Sequence, residues 1–253
     1  MTLTSWQGWA ACVALGYGVV CLLMGATQRS FIYFPQPAAD PTHQLVLPVA
    51  GTKVLVAHRP HPGPRALIYF GGNAEDVSLT RADLAALLPD TALYLLHYRG
   101  YGGSEGTPSE AAIRADAQAL HALVAQHHSA ITVVGRSLGT GPAVHLAATQ
   151  PIQRLVLLVP FDSLLAVARS AMPWLPVDLL LQDRWDAAAE APRVRAATTI
   201  VAAANDTVVP PRHAVALHSV FAPGVAELVV VEDLGHNAPL LPTAAFRRAL
   251  QQR

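Results

Sequence analysis

One short segment of the chain carries the makings of a nucleophile. The β-branched run Ile131-Thr132-Val133-Val134 leads into Gly135-Arg136-Ser137-Leu138-Gly139, and a stretch with helical character runs from Leu138 to Thr149. A Gly-x-Ser-x-Gly between a strand and a helix predicts a turn so sharp that side chains at 135 and 139 would collide. The serine is then held in a strained conformation, with its hydroxyl exposed at the carboxyl end of the strand. The helix N-terminus beside it favours developing negative charge. That is the chemistry of a hydroxyl attacking a carbonyl. The bare pentapeptide occurs by accident; its placement between these two elements is what makes it informative.

A serine hydroxyl needs a base, and the base needs an orienting acid. Downstream of Ser137 stand His145, His213, His218 and His236. His145 lies two turns into the helix that Ser137 opens and points away, while His213 and His218 fall on an expected solvated surface helix. His236, in Asp233-Leu234-Gly235-His236-Asn237, follows the last strand at the edge where loops converge, and is assigned as general base. Among the carboxylates after Ser137, Asp206 alone directly follows the expected penultimate strand, in Asn205-Asp206-Thr207-Val208-Val209-Pro210. It would fix the His236 tautomer and stabilise the imidazolium. Asp183 and Asp186 are expected on the polar face of a cap. The tetrahedral intermediate needs two N–H donors, expected from Leu138 and, in the turn Phe70-Gly71-Gly72-Asn73-Ala74, from Asn73.

The elements that must position these residues can be read from periodicity. Strands are expected at Leu45–Val49, Lys53–His58, Ala66–Phe70, Ala92–His97, Ile131–Val134, Leu155–Val159, Thr199–Ala203 and Leu228–Val231. Helical spacing covers Val77–Leu88, Glu110–His127, Leu138–Thr149 and Pro239–Gln251. Apolar strands alternating with amphipathic helices predict an α/β fold with a mostly parallel sheet covered on both faces. The interval 161–194, with Pro173, Pro176 and Pro192, breaks the rhythm and is expected to be a short helical cap inserted over one end of the sheet. The expected organisation is an anchor over residues 1–28, a proline-rich linker over 29–44 and a catalytic domain over 45–253.

Five ordered motifs together resemble the α/β-hydrolase superfamily, and most closely its N-terminally anchored, ABHD-type serine hydrolases of the depalmitoylase and esterase kind. They are Phe-Gly-Gly-Asn-Ala (70–74), Tyr-Arg-Gly-Tyr-Gly-Gly-Ser-Glu-Gly (98–106), Gly-Arg-Ser-Leu-Gly (135–139), Asn-Asp-Thr-Val-Val-Pro (205–210) and Gly-His-Asn (235–237). The resemblance covers the chain from about Phe31 to its end. It implies Ser137, Asp206 and His236 as a catalytic triad, with Asn73 and Leu138 supplying the oxyanion hole. One departure stands out. Relatives usually carry His-Gly-Asn-Ala where this chain has Gly71-Gly72-Asn73-Ala74, which puts the bracing of that loop in question. The Tyr98–Gly106 stretch is expected to shape the site from behind without a catalytic role.

Composition sets the remaining limits. Of 253 residues, 52% are apolar and 13% charged, with Lys plus Arg and Asp plus Glu both at 17. A large core is possible, while a broad basic field for nucleic acid is not expected. Both cysteines, Cys12 and Cys21, lie in the N-terminal apolar run, so the rest of the chain holds neither a disulfide nor a cysteine-based zinc site. No metal or other cofactor is expected.

Residues 1–28 contain no charged side chain, and Trp9–Ala26 is almost wholly apolar or glycine. Roughly 20 such residues span a bilayer core. With Trp6 and Trp9 at one end and Arg29 at the other, a single-pass membrane anchor is expected. A cleaved signal peptide would want a basic start and a better small-residue site than Met24-Gly25-Ala26. Arginines found only after the span lean towards a cytoplasmic domain and leave the membrane face open. The expected function is a membrane-anchored serine hydrolase acting on acyl esters or thioesters, including lipidic ones. Two alternatives use the same residues: a catalytically silent binding protein of this fold, and an acyltransferase.

Overall fold

The structure, a computed structural model, describes residues 5–241 and 243–251. The first four residues of the expected anchor and the last two of the chain lie outside them. A long helix, α1 (Ser5–Ile32), comes first. The strands are β1 (Gln44–Val49), β2 (Thr52–Arg59), β3 (Arg65–Phe70), β4 (Ala92–Leu96), β5 (Ala130–Arg136), β6 (Arg154–Leu158), β7 (Ala197–Ala203) and β8 (Ala226–Val231). They form one sheet in the order β1-β2-β4-β3-β5-β6-β7-β8, antiparallel from β1 to β4 and parallel thereafter.

Both faces of the sheet are covered, which is why its central strands read as continuous apolar runs rather than alternating ones. Alternate residues of each strand point to opposite faces. Ile68, Phe70, Val133, Leu155, Leu157 and Ile200 face one core with α3 (Glu110–Val124), α4 (Thr140–Thr149) and α8 (Arg212–Ser219). Leu67, Tyr69, Val134, Val156, Leu158 and Val201 face the other with α2 (Val77–Leu87) and α9 (Ala244–Gln251). Helix α3 shows the local logic. Ser109 caps its start by accepting from the Ala112 N–H, and Ile113, Ala117, Leu120 and Val124 are buried along one stripe. Helix α9 begins five residues later than the spacing suggests. Prolines at 239 and 242 interrupt the run, and the Thr243 hydroxyl accepts from the Phe246 N–H at its start.

Between β6 and β7 lie α5 (Leu164–Ala171), α6 (Val177–Leu180) and α7 (Ala187–Glu190). Helix α1 continues four residues past position 28 and docks on this segment. The Gln28 amide donates to the Leu180 carbonyl at 2.8 Å and accepts from the Gln182 N–H at 2.6 Å. Arg29 Nε donates to Asp183 Oδ2 at 3.1 Å, and the Tyr33 hydroxyl donates to the same oxygen at 3.0 Å. Trp185 Nε1 donates to the Tyr33 oxygen at 3.1 Å, and its ring lies under Arg114. Asp183 is therefore buried at the junction of α1 and the cap, not on the cap's polar face as its type suggested. Buried charge needs partners, and Arg29 and Tyr33 supply them.

Candidate active site

The candidate site sits at the carboxyl ends of β3, β5, β7 and β8, where the loops that follow them meet. The turn after β5 has the geometry that the glycines require. Ser137 has φ of +50°, a left-handed conformation that costs a non-glycine residue about 1–2 kcal/mol. A Cβ on Gly135 would meet Ala143 Cβ at 2.6 Å, and one on Gly139 would meet the Phe70 carbonyl carbon at 2.6 Å. The two glycines thus let the helix start against β5 and the turn press on the end of β3.

Ser137, His236 and Asp206, separated by up to 99 residues in sequence, form a continuous hydrogen-bonded chain. Ser137 Oγ lies 2.8 Å from His236 Nε2, and His236 Nδ1 lies 2.7 Å from Asp206 Oδ2. A carboxylate only accepts, so the imidazole proton sits on Nδ1 and Nε2 is free to accept from the serine. Asp206 is buried, and its Oδ1 accepts the Val208 and Val209 N–H groups at 2.9 and 2.8 Å. Those bonds fix the carboxylate plane and offset its desolvation. The two loops are laced together by the Asn205 N–H donating to the Leu234 carbonyl at 2.9 Å. Leu138 follows the serine in a 3-10 turn, Ser137–Gly139, with its side chain buried.

The loop after β3 lies against the serine. A Cβ on Gly72 would stand 3.9 Å from Ser137 Cβ. Its carbonyls are held from behind. The Tyr98 hydroxyl donates to the Gly71 carbonyl at 2.8 Å, and the Tyr101 hydroxyl to the Asn73 carbonyl at 2.6 Å. Burial, followed by the neighbouring Tyr101, pushes the Tyr98 hydroxyl well above the usual phenol range, so it stays a donor. The Gly72 carbonyl accepts from the Glu75 N–H at 3.3 Å, and because a trans peptide points its C=O and N–H oppositely, the Asn73 N–H is directed away from Glu75. The tyrosines of the 98–106 stretch thus shape the site from behind the loop.

Several polar residues have roles that periodicity did not reveal. His213 is buried rather than solvated, and its Nδ1 lies 2.8 Å from Asp162 Oδ1, tying α8 to the turn after β6. His145 lies 2.8 Å from Glu190, which also accepts from Arg114. Glu75 and Arg136 sit between the three loops of the site. The only hint in the sequence was their nearness to Asn73 and Ser137. No cluster of three or more metal-binding side chains occurs among the described residues.

Comparison with protein-family models gave no match. Among curated sequences, an uncharacterized protein of Mycobacterium tuberculosis is 36% identical over 254 residues, covering 91% of this chain and 88% of its own. An alpha/beta hydrolase domain-containing protein of Caenorhabditis elegans, aho-3, is 29% identical over 75% of this chain and 58% of its own. Solved structures share the fold at low identity. The esterase Pf2001 of Pyrococcus furiosus superposes with a TM-score of 0.64 at 14% identity, covering 81% of this chain and 91% of the esterase. A monoacylglycerol lipase of Paleococcus ferrophilus gives 0.60 at 17% identity over 78% and 96%. With the sheet order, the turn at Ser137 and these similarities taken together, the chain belongs to the α/β-hydrolase superfamily.

Proposed function

We propose that the protein is a membrane-anchored serine hydrolase that cleaves acyl ester or thioester bonds. The observation that carries this reading is the unbroken Ser137–His236–Asp206 chain at 2.8 and 2.7 Å, on a serine with positive φ. Ser137 Oγ attacks the acyl carbonyl while His236 Nε2 takes its proton, and Asp206 stabilises the resulting imidazolium. The oxyanion that forms is met by the N–H groups of Leu138 and Asn73. Collapse expels the alcohol or thiol, which leaves with the proton from His236. Water, deprotonated in turn by His236, then releases the acid and restores the serine.

The anchor reading rests on α1. Among the described residues it is the one helix long and apolar enough to cross a membrane, and Trp6 and Trp9 are exposed at its start. The Tyr17 hydroxyl, upstream of Met24-Gly25-Ala26, donates to the Trp174 carbonyl of the cap at 2.8 Å, a bond that favours a retained segment over a cleaved leader. Between α1 and the cap lies an apolar cavity of about 190 Å³, lined among others by Met24, Phe31, Leu164, Met172 and Leu181, apart from the residues around Ser137.

The test is fluorophosphonate labelling of the detergent-solubilised protein. Wild type takes the label and Ser137→Ala does not; a folded wild type that stays unlabelled overturns the reading. The mass of the mature chain separates a retained helix from a cleaved one.

A further inference from the structure

Glu75 takes no part in the steps above, yet four side-chain or backbone groups converge on its carboxylate. Oε2 accepts from the Gly72 N–H at 2.8 Å and stands 3.7 Å from Arg136 Nη1. Oε1 accepts from the Tyr69 hydroxyl at 2.9 Å and from the Thr80 hydroxyl at 2.6 Å. These partners come from the end of β3, from the loop carrying Asn73, from α2 and from the residue before the nucleophile. Arg136 continues the line: its Nη2 donates to the main-chain carbonyl of His236 at 3.5 Å. Both side chains are mostly buried, so their attraction is weakly screened.

The absence of a side chain at position 71 has its explanation here. A Cβ on Gly71 would meet Val77 Cγ1 at 2.7 Å and the Glu75 carboxylate at 3.3 Å. The space a side chain at 71 would use is already filled, and a group reaching in from position 75 braces the loop instead. With the carbonyls of Gly71 and Asn73 fixed by tyrosines and the Gly72 N–H fixed by Glu75, the peptide planes around the Asn73 N–H are held before any substrate arrives. Donors held in place in advance need no reorganisation when the oxyanion forms.

We propose that Glu75 and Arg136 are positioning residues that hold the oxyanion loop, the nucleophile turn and the His236 loop in register. This rests on the serine-hydrolase reading. It predicts an effect on transition-state stabilisation rather than on substrate binding. A loop displaced by about 1 Å costs roughly 100-fold in rate.

The experiment compares purified wild type, E75Q, E75A, R136M and R136K on a short-chain ester, with melting temperatures alongside. The expected kcat loss is about 10-fold in E75Q and R136M and about 100-fold in E75A, with KM within about two-fold throughout. E75Q, close to Glu in shape, guards against a variant that merely fails to fold. R136K, which keeps the charge beside Glu75, recovers part of the loss. The double variant E75Q/R136M loses less than the product of the two single losses, because both act through one contact. An active wild type with E75Q and E75A at wild-type kcat overturns the inference, as does a loss confined to KM or a fully multiplicative double variant. A wild type that neither labels nor turns over removes the serine-hydrolase reading and the inference with it.

Discussion

Replacing Gly139 with alanine tests whether the serine turn and the end of β3 share one rigid packing. The added methyl would stand 2.6 Å from the Phe70 carbonyl carbon and 3.0 Å from the Gly71 carbonyl oxygen, and closer still to the Phe70 oxygen. All three are backbone atoms, so no rotamer change relieves the clash. Phe70 is fully buried in a central strand, paired with Gly135 on one side and Leu96 on the other. Ordinary contact begins at 3.4 Å, so the turn and the strand must part by more than an ångström. Overpacking of side chains costs about 1–3 kcal/mol, and a backbone clash belongs at or above the top of that range. At about 2–4 °C per kcal/mol for a domain of this size, the melting temperature should fall by roughly 6–12 °C. The same separation carries Ser137 away from the Asn73 loop, for which about 100-fold in kcat is the expected cost. Gly72→Ala is the thermal control: its methyl meets only ordinary contacts, Glu75 Oε2 at 3.6 Å and Ser137 Cβ at 3.9 Å, so its melting temperature should stay near wild type. Thermal unfolding in detergent and steady-state ester turnover measure both effects. A Gly139→Ala protein with wild-type melting temperature and turnover would refute the packing argument.

Other perturbations probe the surrounding structure. Trp185→Ala empties the buried space over Gly141 and releases Arg114 and Tyr33, and chemical denaturation should report a loss of about 3–5 kcal/mol; a loss under 1 kcal/mol would mean the site collapses freely. Asp183→Ala leaves the Tyr33 hydroxyl without its acceptor and frees Arg29, at a cost of about 1–3 kcal/mol, and should speed proteolysis between α1 and the cap; unchanged cleavage would show that these bonds do not hold the helix. Acid should weaken the fold before carboxylates titrate. Burial lowers the His97 imidazole, and burial followed by the charge of His128 lowers His58, both below the usual 6.5. The unfolded chain therefore binds more protons, so this stability is present above about pH 6.5 and is lost as pH falls below it. The urea midpoint should drop between about pH 7.5 and 5.5, and less steeply in His97→Asn; a flat midpoint would contradict the assignment.

Much of the architecture was legible because its signals are local. Eight strand segments stand out in the sequence as short apolar runs, and a buried parallel sheet requires such runs. The reversal at Gly135–Gly139 could be read because only glycine tolerates the approach of Gly139 to Phe70. The start of α9 was less legible, since prolines and a threonine cap outweighed the periodicity of the run. His213 was expected on a solvated surface helix and Asp183 on the cap's polar face, and each is buried against a partner more than 50 residues away.

The sequence by itself determined the candidate nucleophile turn and which segments become strands, because turn chemistry and hydrophobic period act over a few residues. Tertiary structure decided how these side chains meet, with the His236 imidazole between the Ser137 hydroxyl and the Asp206 carboxylate. It also decided that α1 docks on the cap through Asp183, and that Glu75 and Arg136 stand where three loops converge. Those contacts depend on strand order and on crossovers between elements far apart in the chain, and a buried polar group can be recognised only once its distant partner is in place.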